Sequence, residues 1–424
     1  MLTRATRSTT RISGMLLPVE IWTIILDLTI HVPRLFDTDC TNASFVEYQY
    51  LRHSPYGDDE GAYRASERQR LILRDVCSAW EAWADSRKSR YITSMGTGVP
   101  SEDVLNAVRV PLLARSPIEH DNPSRWRIID ARIHSNSHII YFKHLSLHAN
   151  KHPLLRRINL SLSPELCEGV QHLAAFKHIN YLSLDFRSVV MGFHRPLPPR
   201  DTSIPVCPIT LPNVQILEYL PDNRVSNIPI VPPFNDSSPP AFMLNLPKLA
   251  HFYFYGGLPG GRLEFDWLAP FTLRGIKSLM VGVGRSLEIE WSELPNLEEL
   301  ACMNFEPKLP EPIPKMHPLQ RVWLLGPWSI ETFDALTAGL EAGNAANLRE
   351  VHLRTVRWDK RGLPVPTPQK KRQGSIADDK SNIEFCDKAS RFGELYGLKT
   401  LDCYGCTRDN PYKLKVSDNE ESGA

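Results

Sequence analysis

The stretch Leu294-Pro295-Asn296-Leu297-Glu298-Glu299-Leu300-Ala301-Cys302 decides the predicted fold, because its apolar residues occupy positions 1, 4 and 6 of a short window that opens at Leu297. Positions 4 and 6 alternate along a strand, so their side chains point to the interior while their neighbours point outward. The same pattern recurs and predicts nine strands. Their windows open at Leu155, Ile179, Val214, Leu249, Ile276, Leu297, Leu319, Leu348 and Leu398.

The spacing of these windows predicts stacked units. The shortest interval is 21 residues, from Ile276 to Leu297. Three windows directly follow one of the related tripeptides Leu-Pro-Asn and Leu-Pro-Lys. One such unit cannot bury its apolar face alone, so neighbouring units are expected to form a parallel sheet. The pattern resembles an irregular leucine-rich repeat, which implies a solenoid over residues 93–410. An ordinary α/β fold with several parallel strands is the alternative.

Two proline-rich stretches interrupt the predicted array. Residues 192–240 and 359–382 are expected to form loops with short extended pieces, because proline cannot donate a backbone hydrogen bond. The second stretch also carries Lys370-Lys371-Arg372, for which a nuclear-import signal and a solvated charge run are both possible interpretations. Residues 1–13 are expected to be a disordered tail, and residues 411–424 a polar tail.

Two apolar segments near the N-terminus have helical spacing. The first is Leu17-Pro18-Val19-Glu20-Ile21-Trp22, where Pro18 suits the first turn of a helix. Its apolar stripe continues through Ile25 and Leu28. The second segment contains Val76-Cys77-Ser78-Ala79-Trp80. Helices this apolar need a partner, which is either the other helix or another protein.

The two segments together resemble the F-box, the module that docks substrate receptors onto the adaptor of a cullin–RING ubiquitin ligase. The resemblance covers residues 14–92 and contains an insert at 31–70, whose first part, residues 31–38, is similar to the insert of F-box proteins from mushroom-forming fungi. Two core helices of an α-helical cap are the alternative. The resemblance implies adaptor-binding roles for Leu17, Pro18, Ile21, Trp22, Ile25, Leu28, Val76, Cys77 and Trp80.

This resemblance implies a function without a catalytic residue or a cofactor in the chain itself. The expected protein is an α/β substrate-recognition subunit of an SCF-type cullin–RING ubiquitin ligase. Its small helical module would dock to the adaptor protein, and its repeat domain would bind an unknown target protein. A repeat scaffold for protein–protein interaction, without any ligase, is the alternative function.

Composition is consistent with such a receptor. The 49 basic and 48 acidic residues balance, so no general attraction to nucleic acid or to acidic membranes is expected. The longest apolar run, residues 15–32, contains Pro18, Glu20 and Asp27 and is therefore not expected to span a membrane. Eight scattered cysteines suit reduced thiols in the cytoplasm or the nucleus.

The candidate enzyme motifs are weak. Gly282-Val283-Gly284 lacks the third glycine of a dinucleotide fingerprint, and Cys403 and Cys406 have redox-pair spacing without a second such pair. A histidine-rich stretch is the remaining metal candidate, but it contains no carboxylate or cysteine, so solvated or core histidines and no metal site are the prediction. Its members are His134, His138, His144, His148 and His152.

Overall fold

A computed structural model describes most of the chain from Leu17 to Thr407. The described residues are 17–38, 46, 59–92, 101–112, 124–133, 135–162, 164–186, 208–220, 242–255, 268–269, 272–282, 287–288, 291–303, 307–308, 313–324, 338, 341, 346–353, 356–358, 364–366, 388, 391, 393–401 and 407. Both predicted tails and the basic triplet at 370–372 lie outside them, as does most of the predicted loops. Within those predicted loops the described residues include the strands Ile209–Thr210, Ile216–Leu220 and Pro364–Pro366, with a turn at 212–213 between the first two.

The helices lie mainly in the N-terminal part of the chain. The first begins directly after Pro18, whose carbonyl oxygen accepts hydrogen bonds from the amides of Ile21 and Trp22 at 3.0 and 3.1 Å. Short 3-10 helices occur at Ala149–Lys151, Pro164–Ala175 and Leu273–Gly275. The α-helices are α1 Val19–Thr29, α2 Pro33–Phe36, α3 Asp59–Arg74, α4 Ser78–Asp85, α5 Ser101–Asn106 and α6 Asn136–Leu147.

One sheet of eleven strands organises the rest of the molecule, and every neighbouring pair in it is parallel. The spatial order equals the order along the chain, so each strand is added beside the previous one. The prediction of an α/β fold with a parallel sheet is therefore confirmed. The strands are β1 Arg109–Leu112, β2 Ile128–Ile133, β3 Arg157–Leu162, β4 Tyr181–Asp185, β5 Ile216–Leu220, β6 His251–Tyr255, β7 Ser278–Gly282, β8 Glu299–Met303, β9 Arg321–Leu324, β10 Glu350–Leu353 and β11 Lys399–Leu401.

Three pairs of short strands lie outside this sheet. Two pairs are parallel and the third is antiparallel. The pairs join Ile209–Thr210 with Leu244–Asn245, Leu287–Glu288 with Pro307–Lys308, and Val356–Trp358 with Pro364–Pro366.

The predicted windows stand in register across the sheet. The residues at position 4 of eight windows pair directly with one another, and the last window departs by one residue. There Val351 pairs with Thr400 rather than with Leu401, so the predicted alignment of the window at Leu398 is wrong. The aligned row is Ile158, Leu182, Leu217, Phe252, Leu279, Leu300, Val322 and Val351.

Strands β1 and β2 were not among the nine expected strands. They continue the same row, because Val110 pairs with Ile129 and Ile129 pairs with Ile158. Position 1 of their windows is held by Ala107 and Trp126, both buried. A window pattern that also admitted alanine and tryptophan at position 1, and alanine at position 6, where β2 carries Ala131, would have found both strands.

The inward residues of the windows form the main core on one face of the sheet. Helix α6 and the 3-10 helix Pro164–Ala175 cover this core near β2 and β3, and they contribute fully buried side chains such as Phe142, Leu145 and Leu173. Apolar burial of this kind supplies most of the folding free energy.

The opposite face of the sheet is also buried, which corrects the expectation that the alternate residues point outward. Tyr181, Tyr253, Met280 and Trp323 lie there with at most 2% of their surface exposed. They belong to a second apolar cluster that includes Val46, from the predicted insert. Parallel sheets are commonly covered on both faces, and the nearly continuous apolar sequences of β4 to β7 are typical of such strands.

Asparagines tie neighbouring strands together at the residue before the window. In three places this side chain donates a hydrogen bond to a backbone carbonyl of the preceding unit. The accepting residue lies two positions before the window of that unit. Lys248 occupies the same place before β6, and its Nζ donates to Asn213 Oδ1 at 2.8 Å. The three asparagine bonds run from Asn213 to Lys177, from Asn296 to Arg274 and from Asn347 to His317, at 2.8, 2.7 and 3.0 Å.

Candidate docking surface on the N-terminal helices

Helix α1 exposes most of its apolar side chains. Only Leu26 and the C-cap residue Ile30 are buried. These two residues lie one turn apart, so the helix packs along a narrow line. Pro18, just before the helix, is exposed as well. The exposed apolar residues of this segment are Leu17, Val19, Ile21, Trp22, Ile24, Ile25 and Leu28, with exposed fractions from 37% at Trp22 to 71% at Val19.

The second predicted segment lies beside the first. Val76 is 58% exposed, Cys77 is an exposed free thiol, and Trp80 is partly buried. The rings of Trp22 and Trp80 are in contact, with centroids 5.8 Å apart and planes tilted by 50°. The structure thus brings together the two segments that residues 31–70 separate in sequence. We call the exposed apolar side chains of residues 17–28 and 71–80 the α1/α4 surface.

Asp27 of α1 fixes the packing of α1 against α4. Its carboxylate accepts the indole N–H of Trp83 at 3.0 Å. The guanidinium of Arg87 donates to both carboxylate oxygens, at 3.0 and 3.1 Å. A bidentate arginine–carboxylate pair fixes the relative orientation of the two side chains as well as their distance.

A second polar contact fixes the end of α1. Ser66 of α3 and Arg90 both donate to the carbonyl oxygen of Ile30, and the Arg90 bond measures 3.0 Å. Arg90 also donates to Ser66 Oγ at 2.8 Å and pairs with Glu67 at 3.0 Å. A cationic group interacts favourably with the negative end of the helix macrodipole at the C-terminus, so Arg90 stabilises the end of α1.

The α1/α4 surface is suited to binding. Eight of the nine predicted adaptor-binding residues are exposed on it, and Trp80 is partly exposed. The described side chains around it include no paired nucleophile and base. Exposed apolar groups on adjacent segments, as around Trp22 and Trp80, are typical of protein–protein contact sites.

Four more residues of this surface were missing from the predicted adaptor-binding set. Val19, Ile24, Leu71 and Ile72 are between 46% and 71% exposed. Leu71 and Ile72 are neighbours in α3.

The histidine-rich stretch does not converge on a metal site. His144 and His148 are in ring contact at 4.7 Å, whereas His152 stacks on Trp126 and hydrogen-bonds Ser124 Oγ at 2.8 Å. Across the described part of the chain, no three histidine, cysteine or acidic side chains are placed to hold a metal ion. His134, Cys403, Cys406, Val283 and Gly284 fall outside that part, whereas Gly282 ends β7.

Burial is the largest influence on His152. Loss of solvent, followed by repulsion from His148 and Lys151, lowers the pKa of its imidazole from 6.5 to about 4. His152 is therefore neutral near pH 7, as a histidine of the protein interior is.

No protein-family model matches this chain. No characterised protein matches it significantly either.

None of the helices within the described ranges has both the length and the apolar character that crossing a membrane requires.

Proposed function

We propose that this chain is the substrate-recognition subunit of an SCF-type cullin–RING ubiquitin ligase. Its F-box-like helices would dock to the adaptor protein of the ligase, and its sheet domain would bind a target protein. The observation that carries the proposal is the α1/α4 surface, on which two sequence segments with F-box resemblance jointly expose their apolar side chains.

The chemistry of this surface suits adaptor binding. Trp22, Ile21 and Val76 are 37%, 40% and 58% exposed, so each has apolar area left to bury. Burial contributes about 25 cal/mol per Å² of apolar area, and a few aromatic and aliphatic side chains usually dominate such interfaces. Docking through these groups therefore needs no rearrangement of the chain's own core.

We further propose that the sheet is a leucine-rich-repeat-like solenoid. The sequential parallel order, the aligned windows and the asparagine bonds between neighbouring strands support this interpretation. Because the second face of the sheet is filled around Val46, the proposal places the target on other surfaces of the sheet domain.

The chain would act by holding the target near the ubiquitin-charged enzyme of the ligase. Positioning of this kind accelerates a reaction without supplying a reactive group. The proposal accordingly assigns this chain no catalytic residue and no cofactor, and places it in the cytoplasm or the nucleus.

Binding of the purified chain to the purified SCF adaptor tests the docking step. Ile21→Asp puts a charge on the α1/α4 surface and is expected to weaken binding at least tenfold, about 1.4 kcal/mol. Ile140→Asp is the matched control, because Ile140 is 65% exposed on α6, away from that surface. Calorimetric titration gives the affinity.

Thermal unfolding of both variants shows whether they keep the fold of the wild type. If the wild-type chain does not bind the adaptor, or if Ile21→Asp binds as tightly as Ile140→Asp, the ligase proposal is wrong. A repeat scaffold that uses its surfaces for another partner would then be the better explanation.

A further inference from the structure

Three arginines hold the segment that follows α1. They come from three places, namely the chain after α4, strand β1 and strand β3. Each donates a hydrogen bond to a backbone carbonyl oxygen between residues 30 and 37. The bonds run from Arg90 to Ile30, from Arg109 to Leu35 and from Arg157 to Asp37, at 3.0, 3.5 and 3.4 Å.

Arg109 is fixed by its own neighbours on the sheet. Its guanidinium forms a two-pronged pair with Asp130 of β2 at 2.7 and 3.1 Å, and it lies over the ring of Tyr91 at 4.9 Å. Burial by itself would raise the pKa of Asp130, but the charge and hydrogen bonds of Arg109 hold that pKa below its usual value. The arginine is thus a rigid donor on β1.

Arg157 is fixed in a similar way on β3. It is fully buried, its Nε donates to Asn159 at 2.9 Å, and its guanidinium stacks over Tyr181 at 4.3 Å. The contact of Arg157 with the carbonyl oxygen of Asp37 is long for a hydrogen bond. Burial of the segment therefore contributes as much to holding it as this bond does.

The held segment is enclosed on its own account. Ile30, Leu35 and Phe36 have 1%, 0% and 8% of their surface exposed, and Arg90 lies over the ring of Phe36 at 5.2 Å. Further along, Val46 is fully buried against the second face of the sheet.

A second connection joins the helices to the first strand. The amide of Arg109 donates to the carbonyl of Arg90 at 3.0 Å, and the amide of Ile92 donates to the carbonyl of Arg109 at 3.1 Å. The helical module therefore meets the sheet both at α2, through Leu35 and Asp37, and after α4. Two separate attachments remove the hinge freedom that a single linker would leave.

We propose that residues 30–37, held by Arg90, Arg109 and Arg157, form a rigid joint that fixes the direction of the α1/α4 surface relative to the sheet. A protein bound on that surface is then held at one position with respect to the sheet. The three arginines are positioning residues, and the joint has this property whichever partner binds, so it does not rest on the ligase proposal.

Hydrogen exchange measured by mass spectrometry on the full chain tests the joint. In the wild type, amides of α1 are expected to be protected to the same degree as those of β1–β3, as parts of one cooperative unit. In the double variant Arg109→Met/Arg157→Met, exchange in α1 and α2 is expected to accelerate at least tenfold, while β5–β8 stay as in the wild type.

Arg321→Met is the matched control. Arg321 occupies the same cross-strand row as Arg109 and Arg157, but on β9, where it lies beside Glu299. This variant should leave exchange in α1 unchanged. Arg109→Lys/Arg157→Lys keeps the charges but loses the guanidinium fork, and it should give an intermediate acceleration while preserving the fold.

Three results would overturn the joint. The first is fast exchange of α1 in the wild type beside protected β1–β3. The second is unchanged exchange of α1 in both double variants, and the third is an equal acceleration in α1 and β5–β8, which would mean that the arginines only stabilise the fold as a whole. The wild-type measurement decides the question even if the methionine variant does not fold.

Discussion

At the scale of single residues, the words Leu-Pro-Asn acquire a physical meaning. The asparagine before the window spans the gap to the preceding strand and satisfies a carbonyl that the strand ladder does not reach. The bonds at residues 213, 296 and 347 mark the start of the three units that carry them.

Replacement of Asn347 should destabilise the sheet modestly. Its Nδ2 donates to the carbonyl oxygen of His317 at 3.0 Å in a partly buried place. Asn347→Ala is expected to lower the free energy of unfolding by about 1 kcal/mol, as measured by chemical denaturation. The exposed Asn150 provides a control substitution to alanine that should change little, and equal stability of the two variants would contradict the assignment.

His152 should make stability depend on pH. Its folded pKa of about 4 lies below the ordinary 6.5, so between these values the unfolded chain binds a proton that the folded chain does not. Stability should therefore fall as the pH drops from 6.5 to 4, by up to about 3 kcal/mol from this group. Urea denaturation of wild type and His152→Gln at pH 7, 5 and 4 measures it, and parallel pH curves for the two proteins would disprove it.

At the scale of elements, the window pattern predicts which residues of each strand face the main core. It does not predict what lies on the opposite face of the sheet. Among the side chains that the structure describes, positions 4 and 6 identify the inward residues of β3 to β10 correctly, because their period of two reflects burial in the main core. The second face mixes glutamate, tyrosine, methionine and tryptophan across successive strands, and this mixture has no periodicity to detect. Val46, which packs in the cluster on this face, is distant in the sequence, and local sequence patterns cannot reveal such a contact.

A charge at Val46 should test that cover. Val46 has no exposed surface and lies in the second apolar cluster. Val46→Asp places a carboxylate in an apolar cluster. It is expected to lower the free energy of unfolding by about 3 kcal/mol or more, which thermal unfolding would show as a lower midpoint. The same substitution at Val19, which is 71% exposed, should leave the midpoint nearly unchanged. A Val46→Asp protein as stable as Val19→Asp would mean that the insert is not part of the core.

At the scale of the whole molecule, the α/β class and the parallel sheet follow from the sequence, and so does a helical surface rich in apolar groups. Trp22 and Trp80 were expected on one surface, and they are in contact. What the sequence alone could not provide is the attachment of the helices to the sheet. That attachment depends on arginines of β1 and β3 reaching the backbone of residues 30–37, and a backbone carbonyl carries no side-chain signature.

The burial of Val46 has a consequence for the order in which the protein is built. The ribosome delivers this residue before any strand of the sheet, yet its cluster extends to Trp323 on β9. Strand can add to strand as the chain emerges, since each pairs with its immediate predecessor. The cluster around Val46, in contrast, cannot be complete until synthesis has passed β9, so a residue made before every strand of the sheet belongs to a cluster that is finished only when nine of the eleven strands exist.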